Sequence, residues 1–242
     1  GEFWKSLMTT VYYALGTIPV SLVLSFFIAL ALFRLARARG LFRTLYFLPY
    51  VTSAVAAATV WRAIFNPQFG LVNSFLGWLG VEPSSWPRWL LEPRGVLHFL
   101  TGGAIPELVG PSVALVVVML FEIWHSSGFM IVIFLAGMTA IPRELEEAAL
   151  IDGANAWQRF RKVILPLLMP ATVVAVTISI IDSLRAFDVV YVMTNTKARA
   201  AEVLASYMYS SAFGYSDYGY GSALAVIQFL ITLVFILVIA TL

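Results

Sequence analysis

Five stretches of this chain are each apolar for roughly the 20 residues that an α-helix needs to cross the hydrocarbon of a bilayer, and they leave few other folds open. They fall at about 11–33, 45–65, 112–139, 167–193 and 221–242. Outer-membrane strands would need segments of about ten residues alternating apolar with polar, and none of these runs alternates. Backbone N–H and C=O groups find no water in lipid, so each run must satisfy them within itself, as a helix. Composition points the same way. Of the 242 residues 61% are hydrophobic and 12% charged, against about 25% charged in a typical soluble domain. The expected fold class is an all-α, polytopic membrane bundle of about five spans, with residues 1–242 forming one transmembrane domain. Pro19 and Pro49 lie inside two of the runs, where packed neighbours accommodate a kink that would break an isolated helix.

Charge then orients the bundle. The first two runs are joined by a segment with Arg34, Arg37, Arg39 and Arg43 and no acid, and the segment 140–166 carries Arg143, Arg159, Arg161 and Lys162. The longer segments 66–111 and 194–220 hold only Arg88, Arg94, Lys197 and Arg199. Short basic loops stay in the cytoplasm, which places the first two segments inside and the other two outside. The first run therefore enters from outside, and the chain begins Gly1-Glu2-Phe3 with no Met and no cleavable signal pattern. The expectation is a fragment of a six-span subunit with both termini inside, one span lying upstream and a short cytoplasmic tail following Leu242. The absence of Cys removes disulfides, thiolate metal sites and thiol catalysis. No basic stripe interleaved with aromatics points to nucleic acid, and no metal site or nucleophile–base pair is visible.

The segment 140–166, "AIPRELEEAALIDGANAWQRFRKVILP", reads as two short helices with a hinge. Pro142 suits a first helical turn, and Glu144, Glu146 and Glu147 favour the positive end of the helix dipole. Leu145, Ala148 and Ala149 recur at i, i+3 and i+4 and form a small, smooth apolar face. Gly153 fits the left-handed position that ends a helix, and Asn155 with Gln158 resembles a capping box that opens the next. Trp157, Phe160 and Ile164 line one face of that second helix, among Arg159, Arg161 and Lys162. On these residues alone two readings stand: a segment held by another protein, or an amphipathic segment lying on lipid headgroups.

The spacing within this segment resembles the signature of the membrane subunits of bacterial ABC importers: Glu-Ala-Ala, three residues, Gly, nine residues, Ile, one residue, Leu-Pro. Here those positions are Glu147, Ala148, Ala149, Gly153, Val163, Leu165 and Pro166, with Val163 standing for Ile. The stretches "FWKSLMTTVYYALGTIPVSLVLS", "RTLYFLPYVTSAVAAATVWRAIFNPQFGLVN", "GFMIVIFLAGMTAIP", "SLRAFDVVYVMT" and "YGYGSALAV" are similar to the carbohydrate-importing branch of maltose-type and glycerol-phosphate-type permeases. Residues 96–110 depart from it as an insertion. The resemblance implies a type I permease bundle in a bacterial or archaeal cell (inner) membrane. Its coupling helix would use Glu147, Ala148, Ala149, Asp152, Gly153, Leu165 and Pro166 to seat in an ATPase subunit. It implies as partners two ATP-binding subunits carrying ATP and Mg, a second permease, identical or homologous, and an extracytoplasmic solute-binding protein. The chain has no Gly-rich Lys-Ser/Thr phosphate loop, so it is expected to be no enzyme and to hold no cofactor of its own.

Charged groups at membrane depth are costly and face a cavity or a partner. Glu122, Trp124 and His125 fall in the third run, and Asp182, Asp188 and Tyr191 in the fourth, as candidates for a sugar pathway. The spacing puts Arg185 within a turn of either Asp182 or Asp188, and pairing among the three, or across an interface with a second permease, to fix packing is the favoured reading of that set. Two other functions compete with that of an importer: a membrane enzyme built on Glu122, His125 and Asp182, and a scaffold whose cytoplasmic loop recruits a partner.

Orientation is directly testable because the chain has no native Cys. Single Cys residues at Arg39 and Arg159 should resist an impermeant thiol reagent in intact cells, whereas those at Ser84 and Lys197 should react. Labelling at position 39 would reverse the assignment.

Overall fold

The computed structural model describes residues 1–34, 39–104, 106, 110–194 and 201–240. Arg37, Lys197 and Arg199 of the charge argument lie outside these residues, as do the side chains of Arg34, Arg39 and Arg43. Among the described residues the regular elements are helices, with one isolated antiparallel bridge between Gly95 and Ser112. In order they are α1 (Glu2–Arg34), α2 (Arg39–Val51), α3 (Ala54–Ile64), α4 (Leu71–Trp78), α5 (Val96–Leu100), α6 (Val113–Thr139), α7 (Arg143–Ile151), α8 (Ala156–Arg159), α9 (Leu165–Leu167), α10 (Met169–Leu184), α11 (Asp188–Thr194), α12 (Leu204–Tyr209) and α13 (Tyr218–Ala240). Three of them, α1, α6 and α13, are each long and apolar enough to cross a membrane unaided.

Two of the expected runs are divided. The run at 45–65 becomes α2 and α3, because Pro49 lies near the end of α2 and Ser53 caps α3, its Oγ accepting from Ala56 N at 3.4 Å. The run at 167–193 becomes α10 and α11, separated by Arg185, Ala186 and Phe187. The first helix instead starts earlier than its apolar run, at Glu2, where Lys5 pairs with Glu2 at 3.1 Å. It continues through Pro19.

The chain forms two compact units: residues 1–18, 52–123 and 180–242, and residues 19–51 and 124–179. In the first, Tyr13 of α1, Ala58 of α3, Leu115, Val118 and Phe121 of α6 and Val190 and Met193 of α11 make the core. The helix α3 lies against α11, and Arg62 donates to the Val192 carbonyl at 3.4 Å. In the second, Ala29 and Leu32 of α1, Met130, Ile131, Phe134 and Met138 of α6, and Leu168 and Ala175 make the core.

The face that α1 buries is small and polar. Ser6, Thr10 and Thr17 are buried in the first unit, and Ser21 and Ser25 in the second, at helical spacing, while Trp4, Met8, Leu15, Val23 and Phe27 are exposed. Lipid tails are as apolar as Leu, so helices in a bilayer gain by close approach and hydrogen bonds, not by hiding large side chains. Thr10 Oγ1 accepts from Leu204 N at 2.8 Å, Thr17 and Ser183 hydroxyls lie 3.4 Å apart, and Ser25 donates to the Ser127 carbonyl at 3.2 Å.

The departure at 96–110 is closed at its base. Val96 N donates to the Pro111 carbonyl at 2.9 Å, Val113 N to the Arg94 carbonyl at 3.0 Å and Ala114 N to the Glu92 carbonyl at 3.3 Å. Glu92 grips Arg94 through both carboxylate oxygens, at 2.7 and 3.0 Å. Those hydrogen bonds hold the Glu92 carboxyl below the usual carboxylate range.

Close backbone approach fixes Gly128 in α6. A Cβ there would fall onto the Tyr46 carbonyl oxygen of α2 and lie 3.2 Å from Phe47 Cα. Backbone atoms cannot rotate aside, so Gly128→Val should destabilise the protein by about 1–3 kcal/mol and lower the midpoint of thermal aggregation in detergent. Gly40→Ala, where an added Cβ meets nothing within 4 Å, should leave that midpoint unchanged.

Candidate functional site

The helix α7 contains no buried residue. Leu145, Leu150 and Ile151 are exposed, Ile151 to 87%, and Glu147 and Ala148 are exposed beside a half-buried Ala149. Pro142 stands one place earlier than its sequence suggested, as the N-cap, with Glu144 and Glu146 in the first turn. The far end closes as a Schellman motif: Gly153 N donates to the Leu150 carbonyl at 3.0 Å and Ala154 N to the Ala149 carbonyl at 2.9 Å. Gly153 takes φ +77°, and an added Cβ would meet nothing within 4 Å, so backbone conformation and not space requires glycine here. Asp152, exposed, is the C-cap between them.

The next residues form the capping box. Gln158 N donates to Asn155 Oδ1 and Asn155 N to Gln158 Oε1, both at 2.9 Å. From there the helical path does not run on regularly. Phe160–Ile164 widen into a π turn in which Leu165 N donates to the Phe160 carbonyl. Pro166 is the cause we assign: its ring clashes with the carbonyl four residues back and offers no N–H to it, and a π turn absorbs the misfit. A 61° bend follows between Leu167 and Met169, where Pro170 likewise has no N–H to donate.

This second segment is anchored. The Phe160 ring lies 5.9 Å from Phe26 of α1 and 5.6 Å from Trp157, and Ile141 and Ile164 pack against the core of the second unit. The helix α7 is thus an exposed, capped rod between two anchored ends. Val163 is half-buried, and Leu165 and Pro166 are exposed.

The candidate pathway residues are distributed. In the first unit Tyr13, fully buried, approaches the half-buried Glu122 without reaching good hydrogen-bond geometry, and Asp182 is near enough to act on both electrostatically. Tyr191 belongs to an aromatic group, 5.2 Å from Phe187 and 5.4 Å from Tyr209 by ring centroids. In the second unit His125 lies 5.8 Å from the Tyr50 ring, and Trp124 is 42% exposed. Among the described residues of this chain no ion pair joins Arg185 to Asp182 or Asp188, which leaves pairing across an interface with a second permease as the other form of that reading. The helix break separates Arg185 from Asp188, since α10 ends at Leu184 and Asp188 opens α11; it does not separate Arg185 from Asp182, because Arg185 N still donates to the Ile181 carbonyl at 3.1 Å.

The break has a second consequence that the sequence reading missed. Arg185, Phe187, Tyr209, Phe213, Tyr218 and Gln228 line a cavity of about 470 Å³ in the first unit. Gln228 of α13 donates to the Leu184 carbonyl at 2.6 Å, supplying a partner where the helix stops. A lone Gln at the tenth residue past Tyr218, in an otherwise apolar run, was the available signal. Among the described residues no group of three or more His, Asp or Glu gathers as metal ligands would.

Comparison with known proteins bears on this arrangement. The family described as "Binding-protein-dependent transport system inner membrane component" matches residues 1–242. The chain is 32% identical over 237 residues to the trehalose/maltose transport system permease protein MalF of Thermococcus litoralis, covering 98% of this chain and 73% of that protein. It is 32% identical over 234 residues to the arabinooligosaccharides transport system permease protein AraP of Bacillus subtilis, covering 96% of this chain and 67% of the other. A chain in the crystal structure of a bacterial alginate ABC transporter, in complex with alginate pentasaccharide-bound periplasmic protein, superimposes with a TM-score of 0.79 at 21% identity, covering 99% of this chain and 77% of that one. That likeness establishes the fold.

Two substitutions separate the roles around the break. Gln228→Leu leaves the Leu184 carbonyl without its donor and should cost about 1–3 kcal/mol, read as a lower melting temperature of the purified protein. Arg185→Ala breaks no ion pair to Asp182 or Asp188 and should reach the membrane in wild-type amounts. A large loss of assembled protein in that variant would point to pairing across an interface with a second permease.

Proposed function

Because the chain belongs to the family of inner-membrane components of binding-protein-dependent transport systems, we propose that it is one permease of an ATP-driven carbohydrate importer. On this reading it forms a translocation pathway with a second permease, identical or homologous. Two ATPase subunits bind ATP and Mg and perform the hydrolysis, and an extracytoplasmic binding protein delivers the solute. The relatives named for trehalose/maltose and for arabinooligosaccharides support a carbohydrate. An enzyme built on Glu122, His125 and Asp182, or a bare scaffold, would leave the family membership unexplained.

The observation that carries the coupling role is α7 itself. A nine-residue helix with nothing buried is too short to be stable alone in water, yet here its C-terminal end is closed by hydrogen bonds and both flanks are anchored. It offers an ATPase subunit a preformed surface, with Glu147 available to a basic group and the small side chains of Ala148 and Ala149 permitting close approach. The ends of the loop are fixed in the second unit by Ile141 on one side and Phe160 and Ile164 on the other. A displacement of α7 is therefore passed to α6 and α10, the helices it connects.

The pathway side of the proposal rests on the break at Arg185–Phe187. Non-helical backbone at membrane depth is tolerated where it is buried in protein or lines a cavity, and broken helices commonly form the binding sites of transporters. The cavity beside this break has aromatic faces suited to sugar rings, with Arg185 and Gln228 as hydrogen-bonding groups. Asp182 and Asp188 flank the break and Tyr191 belongs to its aromatic group, while Glu122, Trp124 and His125 remain candidates on α6.

Gly153→Val tests the coupling role. The left-handed backbone costs a β-branched residue about 1 kcal/mol or more, and no packing contact is disturbed. In the complex reconstituted in lipid, stimulation of ATP hydrolysis by loaded binding protein should fall severalfold while the binding protein still docks. Full stimulation and transport would return the loop to a segment lying on the membrane surface.

A further inference from the structure

We propose that the exposed face of α4 seats in the lipid interface at which α3 ends, as an in-plane anchor for the loop that follows. Leu71, Phe75 and Trp78 recur at i, i+4 and i+7 and so share one face, and they are 69%, 57% and 79% exposed, with Leu79 beside them at 58%. The rings of Phe75 and Trp78 stack with centroids 5.8 Å apart. The opposite face is locked down. Asn73, fully buried, donates to the carbonyls of Pro67 at 3.1 Å and Pro87 at 3.4 Å and accepts from Trp89 Nε1 at 2.7 Å. A Cβ on Gly77 would touch the Trp86 ring at 3.0 Å. The apolar face is therefore held outward by its own loop.

Three observations choose lipid as the occupant. The connection from Ile64 to Leu71 is drawn tight, with Gly70 N donating to the Asn66 carbonyl at 2.9 Å and Gln68 N to Asn66 Oδ1 at 2.8 Å, so α4 stays beside the end of a membrane-embedded helix. The segment 66–81 carries no ionised side chain, so no charge would have to leave water for it to enter the apolar boundary. Trp is the side chain enriched at bilayer interfaces, where an apolar ring and an N–H are both accommodated. A partner that docks and leaves would uncover Leu71, Phe75 and Trp78 to water in every cycle, whereas lipid covers them throughout. The inference rests on the chain spanning a membrane and not on what it transports.

Nitroxide labels on single Cys residues at Trp78 and, separately, Phe75 test it in the assembled transporter, in vesicles of phosphatidylcholine and phosphatidylglycerol. Oxygen concentrates in lipid and a nickel chelate in water, so both labels should collide severalfold more with oxygen than with nickel, and a label from Glu82→Cys should show the reverse. Strong nickel collision at 75 and 78 would mean a water-facing helix. Protection from both reagents would mean a protein partner, such as the second permease. Either result overturns the proposal. Transport by the same vesicles is measured separately, so failure of the importer reading and failure of the lipid anchor are distinguishable.

Discussion

A peptide group inside a bilayer has no water to turn to, and each one left without a partner costs several kcal/mol. This constraint makes the chain helical and also governs where it stops being so. Three departures from regular helix are each met by a specific device. Ser53 caps α3, Gln228 reaches the Leu184 carbonyl, and the π turn at Phe160–Ile164 reroutes hydrogen bonds around Pro166. Breaks are therefore costly features, and the one at Arg185–Phe187 lies on the wall of a cavity.

The same solvent inverts the rule that large apolar side chains go inside. Along α1 the buried positions are Ser, Thr, Ala, Tyr and Leu, and many of the largest apolar side chains point outward. Small residues let helix backbones approach, and their hydroxyls bond across or back along the helix: Thr10 to the Ser6 carbonyl at 2.8 Å and Thr17 to that of Tyr13 at 2.7 Å. Gly128 carries this furthest, bringing α6 against the backbone of α2.

What could be read from the sequence was what depends on residues near one another in the chain. The helical membrane class followed from run length. The Asn155–Gln158 box and the left-handed Gly153 followed from spacing, because caps are local hydrogen bonds. The division of two runs did not follow, although Pro49 and Ser53 were in view, because proline is tolerated within membrane helices and Pro19 indeed leaves α1 whole. The Arg185–Asp188 pairing within the chain failed for a related reason: it presumed helix through Arg185–Phe187, and the group that stabilises the break, Gln228, is 44 residues distant from Leu184. The aromatic cavity was invisible for the same reason, being assembled from the break after α10, from α12 and the turn that follows it, and from α13. The buried stripe on α1 was legible in principle, as Ser and Thr at positions 6, 10, 17, 21 and 25, once small polar residues are weighted as the packing face.

The clasp around Glu92, Arg94, Pro111 and Val113 gives this loop an unusual freedom. It brings the two ends of residues 96–110 side by side, so chain closure there is settled by the clasp and not by what lies between. Lengthening a loop whose ends already meet is cheap, about 0.6 kcal/mol per doubling. The position between Arg94 and Pro111 is thus a port: segments of different length and surface can be grafted there without moving the helices on either side.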